Sequence, residues 1–485
     1  MRPFPLLKLP REIIDIIICE ITHPHDLVQL ASTSSFFRDT IIPYHTEYRI
    51  IQLNITSSGQ FDHVWAHLLK RPNLTRHIRR VAITEDYTQT LPGFSYAIVQ
   101  APSLRVSIHP KTLIQKEHNR PGVEDRRNVD ELTFSALRLM TNLRSLTWKW
   151  VTKPPTPPFL RLLFNVSTEH LSLVMPMSCF GSIDPNAQPQ FSVRCQPHSP
   201  IQSLRIEGPY WGMDPFLDPT LTWFNTLTSL RTLKIFPQLI HQCDKVHFPA
   251  LRKLTVFAAP EQYPTLVAFL TRHSTLEALD WPWKGPLRLP SGILPNLKRL
   301  RCDFTFVKAM NKADIESGDL TSDRPIEQLS FQHPKWFQDE DLLFHKYICF
   351  DITNLDRLVL NKLKSVGSLK TIARSVPGIR ELQFNRFYSE EPDTVELVNA
   401  LQRFKNLEIL RSPSIWSDFP KRSAAGGTTH RASSQLTKRV EELANASPRL
   451  RGVNHPWVAD KQIVISRGWD GEVVVGLEDN RPNLM

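Results

Sequence analysis

The chain has 485 residues, more than one compact hydrophobic core usually holds, so it must divide into domains or build a repeat array. Its hydrophobic content of 41% and charged content of 22% are those of a folded chain and exclude a disordered one. The net charge of +11 attracts nucleic acid, anionic membrane or acidic protein without choosing among them.

The basic excess is uneven. Residues 1–50 hold five Lys/Arg against six Asp/Glu, whereas residues 401–440 hold eight against two. The opening MRPFPLLKLP lacks an apolar run ending in small residues, so no signal peptide is expected. The richest apolar run, Ile13 to Ile21, is short and interrupted by Asp15 and Glu20, so no membrane span is expected. Six cysteines, at 19, 179, 195, 243, 302 and 349, form no C-x-x-C pair. Free thiols in a reducing compartment are the expectation, which puts the chain inside the cell, in cytoplasm or nucleus.

Three short helices are expected in the first fifty residues. Pro10 suits the opening turn of the first, and Glu12 the positive end of its dipole. Ile13, Ile14, Ile17, Ile18 and Ile21 then recur at helical period as a wide apolar stripe. His23-Pro24-His25 breaks this helix. Asp26 is the expected N-cap of a second helix bearing Leu27, Val28, Leu30 and Ala31. Ser34 or Ser35 caps a third, with Phe36, Phe37, Ile41 and Ile42, which Pro43 ends. Three such helices carry more apolar surface than they can hide from one another. Either the rest of the chain covers it, or a second protein does.

These residues resemble a known family. Leu9-Pro10-x-Glu12-Ile13-Ile14, Ile17-Ile18, Ile21, Asp26-Leu27-Val28-x-Leu30, Ser34 and Phe37-Arg38 follow, in order, the pattern of an F-box. The departures are one extra residue around Thr22 to His25, and Phe37 where tryptophan is usual. The resemblance implies that the helices pack on the Skp-family adaptor of an SCF-type cullin–RING ubiquitin ligase. It assigns adaptor contacts to Leu9, Pro10, Ile13, Ile17, Leu27 and Leu30.

A second pattern starts at residue 71. A motif of an apolar residue, two others, Leu, one other and an apolar residue recurs, often after proline. Examples are PNLTRHI at 72, TNLRSLTW at 141, PIQSLRI at 200, TSLRTLKI at 228, PALRKLTV at 249, PNLKRLRC at 295, TNLDRLVL at 353 and PGIRELQF at 377. Leu204, Leu233, Leu254, Leu279, Leu300, Leu329, Leu358, Leu382 and Leu410 mark the series, at steps of 21 to 29 residues. Leu-x-apolar alternation reads as a short strand with two side chains inward. Helical segments precede several strands, most clearly at 132–142, 264–274 and 393–406. One strand and one helix per period resembles a leucine-rich repeat, although the family's Asn or Cys after the strand is missing. An unrelated α/β domain is the alternative. The expected fold is therefore an α/β solenoid: a three-helix F-box at 1–50, a linker helix at 51–70, an irregular leucine-rich-repeat-like horseshoe of parallel strands at 71–455, and a cap or tail at 456–485. Such repeats commonly follow an F-box, a combination abundant in fungi. Segments 111–130, 152–158, 181–200, 308–324 and 421–435 lack apolar period and read as loops. Gln462-Ile-Val-Ile and Glu472-Val-Val-Val read as a hairpin or an edge cap.

No phosphate loop, dinucleotide turn, nucleophile elbow or zinc-protease helix is present in the sequence. His241-x-Cys243-x-x-x-His247 lacks a clear fourth ligand, so no metal and no cofactor is expected. Trp148 and Trp281 share the parity of the inward leucines and read as core. Tyr210-Trp211 reads as a core lid or a binding hot spot. The expected function is thus non-enzymatic: the substrate-recognition subunit of the ligase, with no membrane partner. A basic nucleic-acid scaffold, resting on clusters such as Arg76-His77-Ile78-Arg79-Arg80, is the weaker alternative because no aromatic-interleaved basic motif appears. Residues flanking each inward pair point to the opposite sheet face. That places Arg205, Lys234, Phe236, Lys253, Phe257, Arg299 and Arg301 on the expected target-binding face, which leans basic and suits an acidic or phosphorylated segment.

Overall fold

The computed structural model describes residues 8–21, 24–42, 50–54, 58–84, 132–149, 166–174, 199–207, 223–235, 246–256, 263–281, 288–318, 324–331, 342, 344–346, 351–387, 394–416, 430–456, 461–468 and 472–479. The chain divides into two compact units, Met1–Ala250 and Leu251–Met485.

The first unit opens with three helices, α1 (Arg11–Glu20), α2 (Pro24–Thr33) and α3 (Ser35–Ile41). Pro10 is the N-cap residue of α1, and Glu12 lies in its first turn. Asp26, expected as the N-cap of α2, instead lies inside its first turn because the helix starts at Pro24. The fixed φ of proline suits a helix start, and a carboxylate one turn in still favours the dipole. Ser34 caps α3, its hydroxyl oxygen accepting from the Phe37 N–H at 3.2 Å. Ile14, Ile18, Leu27, Ala31, Phe37 and Ile41 form one buried cluster, with Leu9, Ile21 and Leu30 packed against it.

The segment expected as a linker helix holds a strand first. β1 (Ile50–Asn54) precedes α4 (Ser58–Lys70) and the short α5 (Pro72–Thr75). Then come β2 (Arg80–Thr84), β3 (Ser145–Lys149), β4 (His170–Val174), β5 (Ser203–Glu207) and β6 (Thr232–Ile235). These six strands pair in parallel in chain order, β1 with β2 through to β5 with β6. The register sets Val81, Leu146, Leu171, Leu204 and Leu233 in one buried row. Ile83, Trp148, Leu173 and Ile206 make a second.

The second unit repeats the scheme. Its strands are β7 (Lys253–Val256), β8 (Ala278–Trp281), β9 (Arg299–Cys302), β10 (Gln328–Phe331), β11 (Arg357–Leu363), β12 (Glu381–Phe387), β13 (Ile409–Arg411) and β14 (Gly452–Asn454). All eight run parallel in chain order. β15 (Lys461–Arg467) then pairs antiparallel with β14, and β16 (Val473–Asp479) antiparallel with β15. The expected terminal hairpin is present. Leu254, Leu279, Leu300, Leu329, Leu358, Leu382, Leu410, Val453 and Ile463 form the buried row. Helices α6 (Tyr263–Arg272), α7 (Phe304–Ser317), α8 (Val366–Ser375), α9 (Thr394–Leu401) and α10 (His430–Ala446) fall between strands.

One backbone device recurs at strand entries. Two successive N–H groups donate to a single carbonyl of the previous turn. Arg144 and Ser145 donate to Arg79, Glu169 and His170 to Arg144, and Gln202 and Ser203 to Glu169. In the second unit Glu277 and Ala278 donate to Arg252, Lys298 and Arg299 to Glu277, and the pattern continues to Arg451 and Gly452 on Glu408. This satisfies the polar backbone where the chain turns into the sheet.

Three expectations are corrected. PNLTRHI is not the first strand motif: Pro72–Thr75 is helical, and the strand is RVAIT, four residues later, with Ile78-x-x-Val81-x-Ile83 in the repeat frame. The loop expected at 308–324 is α7 as far as Ser317. The loop expected at 421–435 contains the start of α10 at His430. The other expected loops, 111–130 and 152–158, and most of 181–200, lie outside the described residues.

Candidate interaction surfaces

The isoleucine stripe of α1 splits between two faces. Ile14 and Ile18, one turn apart, are 1% and 0% exposed and sit in the three-helix core. Ile13 and Ile16 are 42% and 58% exposed. Ile17, expected outward, is half-buried, and Pro10 is exposed. Val28 on α2, Phe36 on α3 and Ile42 at its end are exposed as well. Hence five large apolar side chains within residues 13–42 face outward, against Leu139, Ile315, Val395, Val474 and Leu477 in all the rest of the described chain. The exposed large apolar side chains of the described residues are thus concentrated in this segment.

Of the six residues that the resemblance assigned to an adaptor, Leu27 is fully buried in the helical core, and Leu9 and Leu30 are partly buried against it. The structure also exposes Ile16 and Val28. The helical period defined an apolar stripe but not which of its edges turns inward.

α1 also meets the rest of its own unit. Glu20 accepts from the Arg144 guanidinium at 2.5 Å. Asp15 raises the pKa of His77, but burial, Arg76 and Arg79 together hold that imidazole below its usual value. In the Arg76 to Arg80 cluster, Arg76 and Arg80 are exposed, but the residues between them turn partly inward. Ile78 is buried, and Arg79, largely buried, donates to the Asn142 carbonyl at 3.0 Å.

The residues expected on a target face fall in both units. In the first, register sets Arg205 beside Lys234. Both cations are already engaged. Arg205 lies 2.5 Å from Glu207, and Lys234 is also ion-paired with it. Burial alone would raise the Glu207 pKa, but hydrogen bonds from Arg205 and Lys234, and their charge, hold it below the ordinary range. Phe236, Phe257 and the Tyr210-Trp211 pair lie outside the described residues.

In the second unit the open-face row runs Lys253, Ala278, Arg299, Gln328, Arg357, Glu381. The next row contains Thr255, Asp280, Arg301, Ser330, Val359, Gln383 and Arg411. Arg301 reaches Asp280 at 3.5 Å. Arg357 and Arg411 share Glu381, at 3.4 and 3.1 Å. Lys253 and Arg299 make no side-chain hydrogen bond or ion pair among the described residues. Arg411 was missed in the sequence, although it flanks Leu410 as Arg301 flanks Leu300.

Trp148 and Trp281 are buried, as their parity implied. Of the His241, Cys243 and His247 cluster, only His247 is described. Among the described residues no three metal-capable side chains converge, and no helix is long and apolar enough to cross a membrane. No family model matches the chain, and no curated protein matches it.

Proposed function

We propose that the chain is the substrate-recognition subunit of an SCF-type cullin–RING ubiquitin ligase. Its three amino-terminal helices, read as an F-box, hold a Skp-family adaptor. The strand-and-helix repeats, read as an irregular leucine-rich-repeat solenoid, hold a target protein. The role is positional: bringing target and transfer machinery together raises their effective concentration, and other subunits perform the chemistry. The observation that carries the reading is the outward apolar set on α1 to α3, in a segment whose own core is already filled by Ile14, Ile18, Leu27 and Phe37. Within it, Leu9, Pro10, Ile13, Ile16, Ile17, Val28 and Leu30 are the proposed adaptor contacts. The engagement of Arg205 and Lys234 by Glu207 weighs against a nucleic-acid scaffold.

The test is binding of a purified Skp-family adaptor to Ile13→Asp and Ile16→Asp variants. A carboxylate in a desolvated interface costs several kcal/mol. Both positions are exposed, so each variant should fold like the parent by circular dichroism yet lose the adaptor. Undiminished adaptor binding by both variants would overturn the F-box reading.

A further inference from the structure

We infer that the open sheet face of the second unit binds an acidic peptide segment in polyproline II conformation, with a carboxylate at every third residue, laid across β7 to β11. The inference rests on the reading of the repeats as a target-binding domain.

Charge selects the ligand's sign. At the outward positions of the two rows, Lys253, Arg299, Arg301, Arg357 and Arg411 face only Asp280 and Glu381, leaving three positive charges in excess. The excess is not spread evenly. Arg301 and Asp280 pair with each other. Glu381 serves two arginines, so that cluster keeps one charge. The other two belong to Lys253 and Arg299.

Spacing selects the ligand's conformation. Lys253, Arg299 and Arg357 occupy one row on β7, β9 and β11, with Ala278 and Gln328 on the strands between. Alternate strands are about 9.6 Å apart. A β-extended peptide crossing them puts residues i and i+3 on opposite sides, so its carboxylates do not match that step. A polyproline II helix has three residues per turn and rises about 9.3 Å over them, so acids at i, i+3 and i+6 line one side at the required interval. In the first unit Arg205 and Lys234 lie on adjacent strands around Glu207, not on alternate strands, so the interval differs.

The experiment is fluorescence anisotropy on the full chain with two labelled peptides of equal composition. One repeats Glu-Pro-Pro; the other clusters its glutamates at one end. The repeating peptide should bind about tenfold more tightly, the worth of one well-placed charged contact. Arg299→Ala and Arg299→Glu should each remove that advantage, and Arg205→Ala should leave it unchanged. Equal affinity for the two peptides, binding of neither, or tighter binding of single-stranded DNA at the same salt would overturn the inference. Adaptor binding, measured on the same preparation, separates the two claims. Adaptor bound without peptide selectivity retires the acidic row alone. Peptide selectivity without adaptor binding retires the ligase role and leaves the row standing.

Discussion

At the scale of single residues, the most constrained pair is Asp314 and Arg324, both buried. Arg324 donates to Asp314 at 2.7 Å and, through Nε, to the Ile293 carbonyl at 2.7 Å. Asp314 also accepts the Gly292 N–H at 3.0 Å. The pair thus pins the turn at 291–294, where Leu294 takes a φ of 59°, a strained value for a bulky residue. Removing one partner strands a buried charge, at about 3–5 kcal/mol, whereas an apolar pair of similar volume costs far less. Asp314→Ala should therefore lower hydrogen-exchange protection in β9 and β10 strongly, and the double change Asp314→Leu, Arg324→Met should restore most of it. Equal losses in both variants would mean that packing, not charge, holds the turn. Nothing in the sequence pointed to this pair: an acid and an arginine ten positions apart, in a stretch without apolar period, read as surface. The outward Ile13 and Ile16 were half legible, because composition revealed the surplus of apolar surface and periodicity could not orient it.

At the scale of elements, legibility followed the repeat motif. Strands opening with a buried leucine or isoleucine three residues before the marker leucine were found. β4 was missed because buried Thr168 stands at that place, and a polar residue breaks the pattern. α7 was missed for a related reason. Phe306, Val307, Met310 and Asp314 are buried at helical spacing, but the last of the four is an acid. Its ends were nonetheless written in the sequence. Asp303 caps the start, accepting the Thr305 N–H at 2.9 Å, and Gly318 ends it with a φ of 72°. An added Cβ at Gly318 would meet nothing within 4 Å, so the cost of a substitution there is conformational alone. Gly318→Ala should destabilise the second unit by about 1 kcal/mol, and Gly318→Asn by less, since asparagine tolerates the left-handed region. Calorimetry of the unfolding transition checks both; an alanine variant as stable as the parent would show that the helix end relaxes freely.

At the scale of the whole molecule, each unit is a sheet in which sequence neighbours are hydrogen-bonded neighbours. That order was legible because one marker leucine per 21–29 residues implies one strand per period. The division into Met1–Ala250 and Leu251–Met485 was not legible, since the leucine series runs through it without a break. On the proposed reading as a repeat array, stability is a sum of local terms. Leu358→Ala, in the interior of β11, should cost about 2–5 kcal/mol. The loss of amide protection should be greatest in β10 to β12 and should fade toward β15 and β16. A uniform loss across the second unit would reveal all-or-none unfolding instead. The paired N–H groups at the strand entries have a longer consequence. From β3 to β6 and from β8 to β14, each turn offers the next strand the same single carbonyl, so the bonding scheme there contains nothing that counts strands. A closed barrel fixes its strand number by geometry; an open ladder does not. Duplication or loss of one strand period therefore leaves its neighbours able to pair, and gene-level insertion or deletion becomes a direct route to lengthening, shortening or resorting the charged rows.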